Sequence, residues 1–171
     1  MLEDLPLSTA FSELRILHFD LNWHVSLTDT DLLRLASPRM EEIIINNVSG
    51  WGTHKNGGGI TLSGLVRLLQ QCPSLNDVCL AIDTSTFTEI PEGLDVSFPP
   101  RKGLYLNFVD SYILPEFVPG VVSVFMALKL DPSMFFVWQN GGESVGEQEA
   151  EPWWEMVLDE LEEAFKEQSL S

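Results

Sequence analysis

The amino-acid sequence predicts an α/β fold in which short parallel strands alternate with helices and stack one upon the next. Three observations support this prediction. A phrase that is apolar at its first, fourth and sixth positions occurs at residues 14–22, 40–48 and 75–83. A segment compatible with a helix separates each copy from the next, and an acidic amphipathic segment follows near the end of the chain. Repeated strand-plus-helix units with a closing element are typical of solenoids.

The repeated phrase has the L-x-x-L-x-L form of a leucine-rich repeat. Its apolar positions should enter the core, because strand side chains alternate between the two faces of a sheet. A fourth copy is predicted with Leu104 and Leu106 at positions four and six, and residues 134–138 are predicted to form a closing strand. We therefore expect a short solenoid of about four repeats over residues 1–142, with a parallel sheet on its concave face.

Local signals define the helices between these strands. Thr28 can cap a helix that runs to Ser37, and Pro38 stops it. A second helix is predicted over residues 61–72, where apolar residues recur at helical spacing, and another over residues 119–128. In the first two units the helix is followed by a proline and then by the next strand.

Two connecting segments are poor in core-forming residues. The Gly-rich insertion at residues 49–59 accounts for the longer spacing of the phrases, 26 residues from 14 to 40 but 35 residues from 40 to 75. We expect it to emerge as a loop at one rim of the solenoid. Residues 84–100 contain Pro91, Gly93, Pro99 and Pro100, and this composition favours an irregular connection.

The C-terminal segment, residues 143–171, differs from the rest in charge. Ten acidic residues and one lysine between positions 143 and 167 give a local net charge of −9. Four apolar residues are spaced so that they share one face of a helix beginning at Pro152: Trp154, Leu158, Leu161 and Phe165. We expect this acidic amphipathic helix to cap the solenoid. The alternative is that its charged side docks a basic partner.

Composition limits the classes of function. With 171 residues, 44% of them hydrophobic, and a net charge of −17, the chain is expected to fold and to avoid nucleic acid and anionic membranes. Cys72 and Cys79 are too few for a disulfide scaffold, and no leader follows Met1, so we expect the cytoplasm or nucleus. No metal-binding spacing, cofactor motif or catalytic constellation is recognisable, and we expect no metal, no cofactor and no enzymatic activity.

The alternation of side chains places the third, fifth and seventh positions of each phrase on the concave face. Three rows are predicted across the strands: Ile16, Glu42, Asp77 and Gly103; His18, Ile44, Cys79 and Tyr105; Asp20, Asn46, Ala81 and Asn107. This face is shallow and mildly acidic, which favours a protein or peptide partner. The candidate binding residues are His18, Asp20, Glu42, Ile44, Asp77, Cys79 and Tyr105. The alternative is that only some of them contact anything.

The segment from Leu68 to Leu80, with Cys72-Pro73 at its centre, resembles the cysteine-containing leucine-rich repeats of F-box proteins. Residues 60–75, together with the acidic tail and its Trp153-Trp154 pair, look like the repeat region of F-box families from mushroom-forming fungi. The resemblance implies substrate recognition for a cullin-type ubiquitin ligase. It also implies an F-box contacting the ligase adaptor.

The chain departs from the F-box pattern, because only 13 residues precede the first phrase. We therefore expect either a piece of a longer protein or a shortened relative that lacks the F-box. A structural or truncated repeat fragment with no independent activity is the alternative to a recognition module.

Overall fold

The computed structural model describes residues 12–20, 27–45, 59–85, 90, 93, 103–109, 111, 113–138 and 151–169. Among these residues, five parallel strands form the main sheet, and two short parallel strands form a second one. The main sheet contains β1 (Ile16–Phe19), β2 (Glu42–Ile45), β4 (Asp77–Leu80), β6 (Tyr105–Val109) and β7 (Phe135–Trp138), in that order. The small sheet pairs β3 (Ile60–Thr61) with β5 (Ile82–Asp83). Neighbours in the main sheet therefore follow one another along the chain.

Within the described ranges, four helices accompany the strands: α1 (Asp29–Leu35), α2 (Leu62–Gln71), α3 (Val118–Ala127) and α4 (Glu151–Ser169). Single 3₁₀ turns precede α3 and β7, at Pro115–Phe117 and Pro132–Met134. Helix α1 packs against α2, and α3 packs against α4. The predicted α/β class with a parallel sheet and several helices is confirmed.

The starts of α1 and α2 follow the local signals in the sequence. Thr28 and Asp31 form a complete capping box, in which each side chain bonds the backbone of the other residue. Thr61 caps α2 by accepting a hydrogen bond from Gly64 N at 3.2 Å. Both predicted helices are confirmed, to within one or two residues at their ends.

The two caps are tied to each other across the helix pair. One carboxylate oxygen of Asp29 accepts from Thr61 N at 2.7 Å, and the other accepts from Thr61 Oγ1 at 2.7 Å. A Cβ at Gly64 would lie 2.0 Å from Asp29 Oδ1, so only glycine leaves room for this carboxylate. The contact joins two successive units of the chain.

The core lies between the main sheet and the helices. Ile43, Val78 and Leu106 form one buried row on adjacent strands. Ile45, Leu80 and Phe108 lie two residues further along the same strands and are also buried. These six side chains belong to one cluster with the apolar residues of the helices. The burial of alternate strand residues leaves the intervening positions on the opposite face.

An aromatic cluster joins β6 and β7 to α3 and α4. It consists of Phe108, Phe125, Phe135 and Trp154, whose contacting ring centroids lie 5.1 to 6.0 Å apart. Trp154 Nε1 also donates to the backbone carbonyl of Ser111 at 2.9 Å, which satisfies its polar edge inside the core.

The structure corrects the predicted register of the fourth strand. Leu106 pairs with Val78 and Phe108 with Leu80, so these two residues hold positions four and six in place of Leu104 and Leu106. In this register Phe108 packs against the other rings of the aromatic cluster, a long-range contact that the repeated phrase does not contain. Tyr105 accordingly pairs with Asp77 and not with Cys79.

The apolar stripe of the C-terminal helix also differs from the prediction. Trp154, Val157 and Leu161 are buried, whereas Leu158 and Phe165 are only partly buried. The face of this helix that contacts the core is therefore centred on Val157 and not on Leu158. The predicted insertion at 49–59, apart from Gly59, and most of the connection at 84–100 lie outside the described residues.

Candidate functional site

Side chains facing away from the helical layer form two registered rows on the main sheet, which we call the polar face. The first row contains Ile16, Glu42, Asp77 and Tyr105, on β1, β2, β4 and β6 in turn. The second row contains His18, Ile44, Cys79 and Asn107 on the same four strands. Members of the two rows on one strand are two residues apart, about 6.6 Å.

The first row is apolar at its ends and acidic at its centre. Ile16 is 51% exposed and Tyr105 is 45% exposed, which makes them two of the most accessible large apolar side chains among the described residues. Between them, Glu42 and Asp77 are partly buried. Adjacent strands lie about 4.8 Å apart, so the four side chains form a continuous strip.

The two central carboxylates differ in their partners. His18 Nε2 lies 2.9 Å from Glu42 Oε2, within hydrogen-bonding distance. No cation lies within ion-pair distance of Asp77 in the described part of the chain. Burial raises the pKa of Asp77, and the nearby charge of Glu42 raises it further, against a smaller opposing effect of His18. In the free protein the ionised Asp77 is thus incompletely compensated.

Cys79 lies in the second row but is only 3% exposed. Burial, followed by the charges of Asp77 and Asp20, raises the pKa of this thiol to about 12. It is therefore protonated at neutral pH and is neither a nucleophile nor a good metal ligand. The prediction that Cys79 contacts a ligand does not agree with its burial.

The sequence predicts that Asn107 lies in the third row, but in the structure it lies in the second. It pairs with Cys79 in the second row, and its Oδ1 is buried without a hydrogen-bond partner among the described residues. An unsatisfied buried acceptor is uncommon and costs free energy. This oxygen is closed off from solvent, so a donor from another molecule can reach it only if the surrounding side chains move.

The third predicted row is not assembled in the described part of the chain. Asp20 follows β1 directly and is exposed, while Asn46 lies outside the described residues. Ala81 is buried. Of the seven candidate residues, the structure brings His18, Glu42, Ile44, Asp77 and Tyr105 together as accessible or partly accessible side chains.

Two further properties bear on the site. Within the described residues, no three or more His, Cys, Asp or Glu side chains are grouped so that they could hold a metal ion. None of the helices over the described ranges is both long and apolar enough to span a membrane.

Comparison of the chain with protein families, with curated proteins and with solved structures finds no match.

Proposed function

We propose that this chain is a short leucine-rich-repeat solenoid that recognises another protein through the polar face of its sheet. Support for the repeat architecture comes from the order of the strands, which are parallel and adjacent in the sheet in the order of the chain. Further support comes from positions four and six of the second, third and fourth phrases, which are all buried. The C-terminal helix α4 covers the aromatic cluster and serves as the cap in this proposal.

The observation that carries the proposal is the first row. Exposed Ile16 and Tyr105 flank two carboxylates on a regular, hydrogen-bonded sheet. Exposed aromatic side chains such as Tyr105 are enriched at protein interfaces, and Tyr, Trp and Arg are the residues that most often dominate the binding energy. Binding, and not catalysis, is the activity that we propose.

The resemblance to F-box repeats suggests a biological setting for this recognition. In that setting the polar face holds the substrate of a cullin-type ubiquitin ligase, in the cytoplasm or nucleus. A separate F-box region would contact the ligase adaptor. This part of the proposal depends on the resemblance of residues 60–83 and of the acidic tail.

The second candidate is a structural repeat unit with no activity of its own, and the exposure of β1 favours it. Phe19 pairs with Ile45 in the sheet, yet Phe19 is 40% exposed while Ile45 is 1% exposed. The core is thus open at the β1 edge, as expected where one repeat normally stacks on another. A cooperative, monomeric chain that binds a partner would argue against this candidate.

The test is the reversal of charge on the polar face. Partners selected from a displayed protein library with the full chain are rebound to the double variant Glu42→Lys/Asp77→Lys. The matched control is Glu155→Lys/Asp159→Lys, which reverses two exposed carboxylates on α4. We expect binding to be lost only in the first variant, provided that circular dichroism shows both to be folded. Retention of every partner by the first variant would refute the proposed face.

A further inference from the structure

The strand spacing of the first row suggests which chemistry its partner carries, on the assumption that the polar face is a binding face as proposed above. The row runs across β1, β2, β4 and β6, which gives three inter-strand steps of about 4.8 Å and a total of about 14 Å. In an extended peptide, side chains on one face recur about every 6.8 Å. Residues i, i+2 and i+4 of such a peptide therefore span the row.

The same spacing aligns each peptide side chain with a feature of the row. With residue i over Ile16, residue i+2 lies about 7 Å along, midway between the strands of Glu42 and Asp77. Residue i+4 then lies about 14 Å along, at the strand of Tyr105. The row therefore has an apolar contact at each end and two carboxylates around the central peptide position.

We propose that the first row binds an extended basic peptide segment of the form apolar-x-Lys/Arg-x-apolar. In this arrangement the central cation lies between Glu42 and Asp77, and the two apolar side chains pack on Ile16 and Tyr105.

The charges of the surrounding residues are complementary to this ligand. Glu42 already has His18 beside it, but Asp77 has no cationic partner among the described residues, so a ligand ammonium or guanidinium removes a repulsion as well as adding an attraction. The ring of Tyr105 is adjacent to Asp77 in the row and can add a cation–π contribution. The overall charge of −17 speeds the approach of a basic segment and disfavours an acidic one.

The experiment uses the full chain and four short fluorescent peptides with the core Leu-Ser-X-Ser-Leu, in which X is Lys, Arg, Gln or Glu. Fluorescence anisotropy at low and high salt measures their affinities. We expect the Lys and Arg peptides to bind about two- to fivefold more tightly than the Gln peptide, the range typical of a partly exposed ion pair. The Glu peptide should bind weakest, and the preference should shrink at high salt.

Charge-neutral variants locate the binding. Glu42→Gln/Asp77→Asn should reduce the affinity of the Lys peptide to that of the Gln peptide. The matched control Glu155→Gln/Asp159→Asn makes the same change in net charge on the exposed side of α4 and should leave the affinity unchanged. Equal binding of the Lys and Gln peptides, equal effects of the two variants, or no binding by any of the four peptides would overturn the inference.

Failure here is distinguishable from failure of the proposed function. If the Gln or Glu peptide binds as tightly as the Lys peptide and the variant Ile16→Ser/Tyr105→Ser abolishes that binding, the polar face recognises peptides but not through a cation. If no library partner responds to charge reversal on the face, the proposed function itself fails.

Discussion

Because Asp29 lies against Gly64, the substitution Gly64→Ala should destabilise the protein when Asp29 is present but not when Asp29 has been removed. In a helix, replacing glycine by alanine normally stabilises by about 0.5 to 1 kcal/mol. Here a Cβ at position 64 would lie 2.0 Å from Asp29 Oδ1 and 2.4 Å from its Cγ. Gly64→Ala must therefore displace the carboxylate that bonds Thr61 N and Thr61 Oγ1.

The magnitude follows from the two hydrogen bonds that are lost. Hydrogen bonds to a charged group contribute about 1.5 to 3 kcal/mol each, and the partial exposure of Asp29 puts this pair at the low end, about 3 kcal/mol together. Subtracting the gain of up to about 1 kcal/mol from alanine leaves a net destabilisation of about 2 kcal/mol. In a chain of this length, that corresponds to a fall of about 4 to 8 °C in Tm.

A double-mutant cycle measured by urea denaturation tests this reasoning. Asp29→Ala alone should destabilise by about 3 kcal/mol, because it removes the same hydrogen bonds without the helix gain of alanine at position 64. In that background, Gly64→Ala should be neutral or stabilising by up to about 1 kcal/mol, since the obstructing carboxylate is gone. If Gly64→Ala has the same effect with and without Asp29, the steric account is wrong.

Three further predictions concern the core and the polar face. Trp154→Phe should lower the free energy of unfolding in urea by about 2 to 3 kcal/mol, because it removes the hydrogen bond to the Ser111 carbonyl and leaves a void in the aromatic cluster. Met156→Ala, on the exposed side of the same helix, should change that free energy by no more than about 0.5 kcal/mol. Asp77→Asn should raise the free energy of unfolding at pH 7, because the folded-state pKa of Asp77 lies above its ordinary 3.8 and its ionised form opposes folding. The gain should shrink as the pH falls through that raised pKa and vanish below 3.8. A gain that grows on acidification would contradict a raised pKa. The thiols of Cys72 and Cys79 should resist alkylation at pH 7.5 until the chain is unfolded, since both are buried and the pKa of Cys79 is about 12. Rapid labelling of Cys79 in the native chain would show that the polar face opens.

Local signals in the sequence were sufficient for the first two helices. The capping box at Thr28 and Asp31 and the stops at Pro38 and Pro73 act within one or two turns, so no distant contact is needed to recognise them. The tie between Asp29 and Thr61 could not be predicted in the same way. It joins residues 32 positions apart, and nothing in the sequence near either residue indicates a contact with the other.

The register of the fourth strand shows where periodicity is insufficient. Leu104, Leu106 and Phe108 alternate with other residues, and a shift by two residues keeps every side chain on the same face. The choice between registers depends on the packing of Phe108 against Phe125 and Trp154, which are distant in the chain.

The repeated phrase was sufficient to predict that Glu42 and Asp77 share a row, but not which side chains of the site are accessible. The phrase placed Glu42 and Asp77 in one row, and the structure agrees. Tyr105 joins that row only in the observed register. The burial of Cys79 and the unpaired Oδ1 of Asn107 depend on the whole surroundings of the sheet, which a repeat pattern does not describe.

The central claim, that the polar face of the sheet is the binding surface, is tested most directly by mapping a bound partner. At 19.2 kDa the chain is suitable for amide chemical-shift mapping by NMR, with a partner selected from the displayed library or the Lys peptide. The account predicts that the largest shifts fall on β1, β2, β4 and β6, centred on Glu42 and Asp77. Shifts confined to the outer surfaces of α1 to α4, with the strands unchanged, would contradict it.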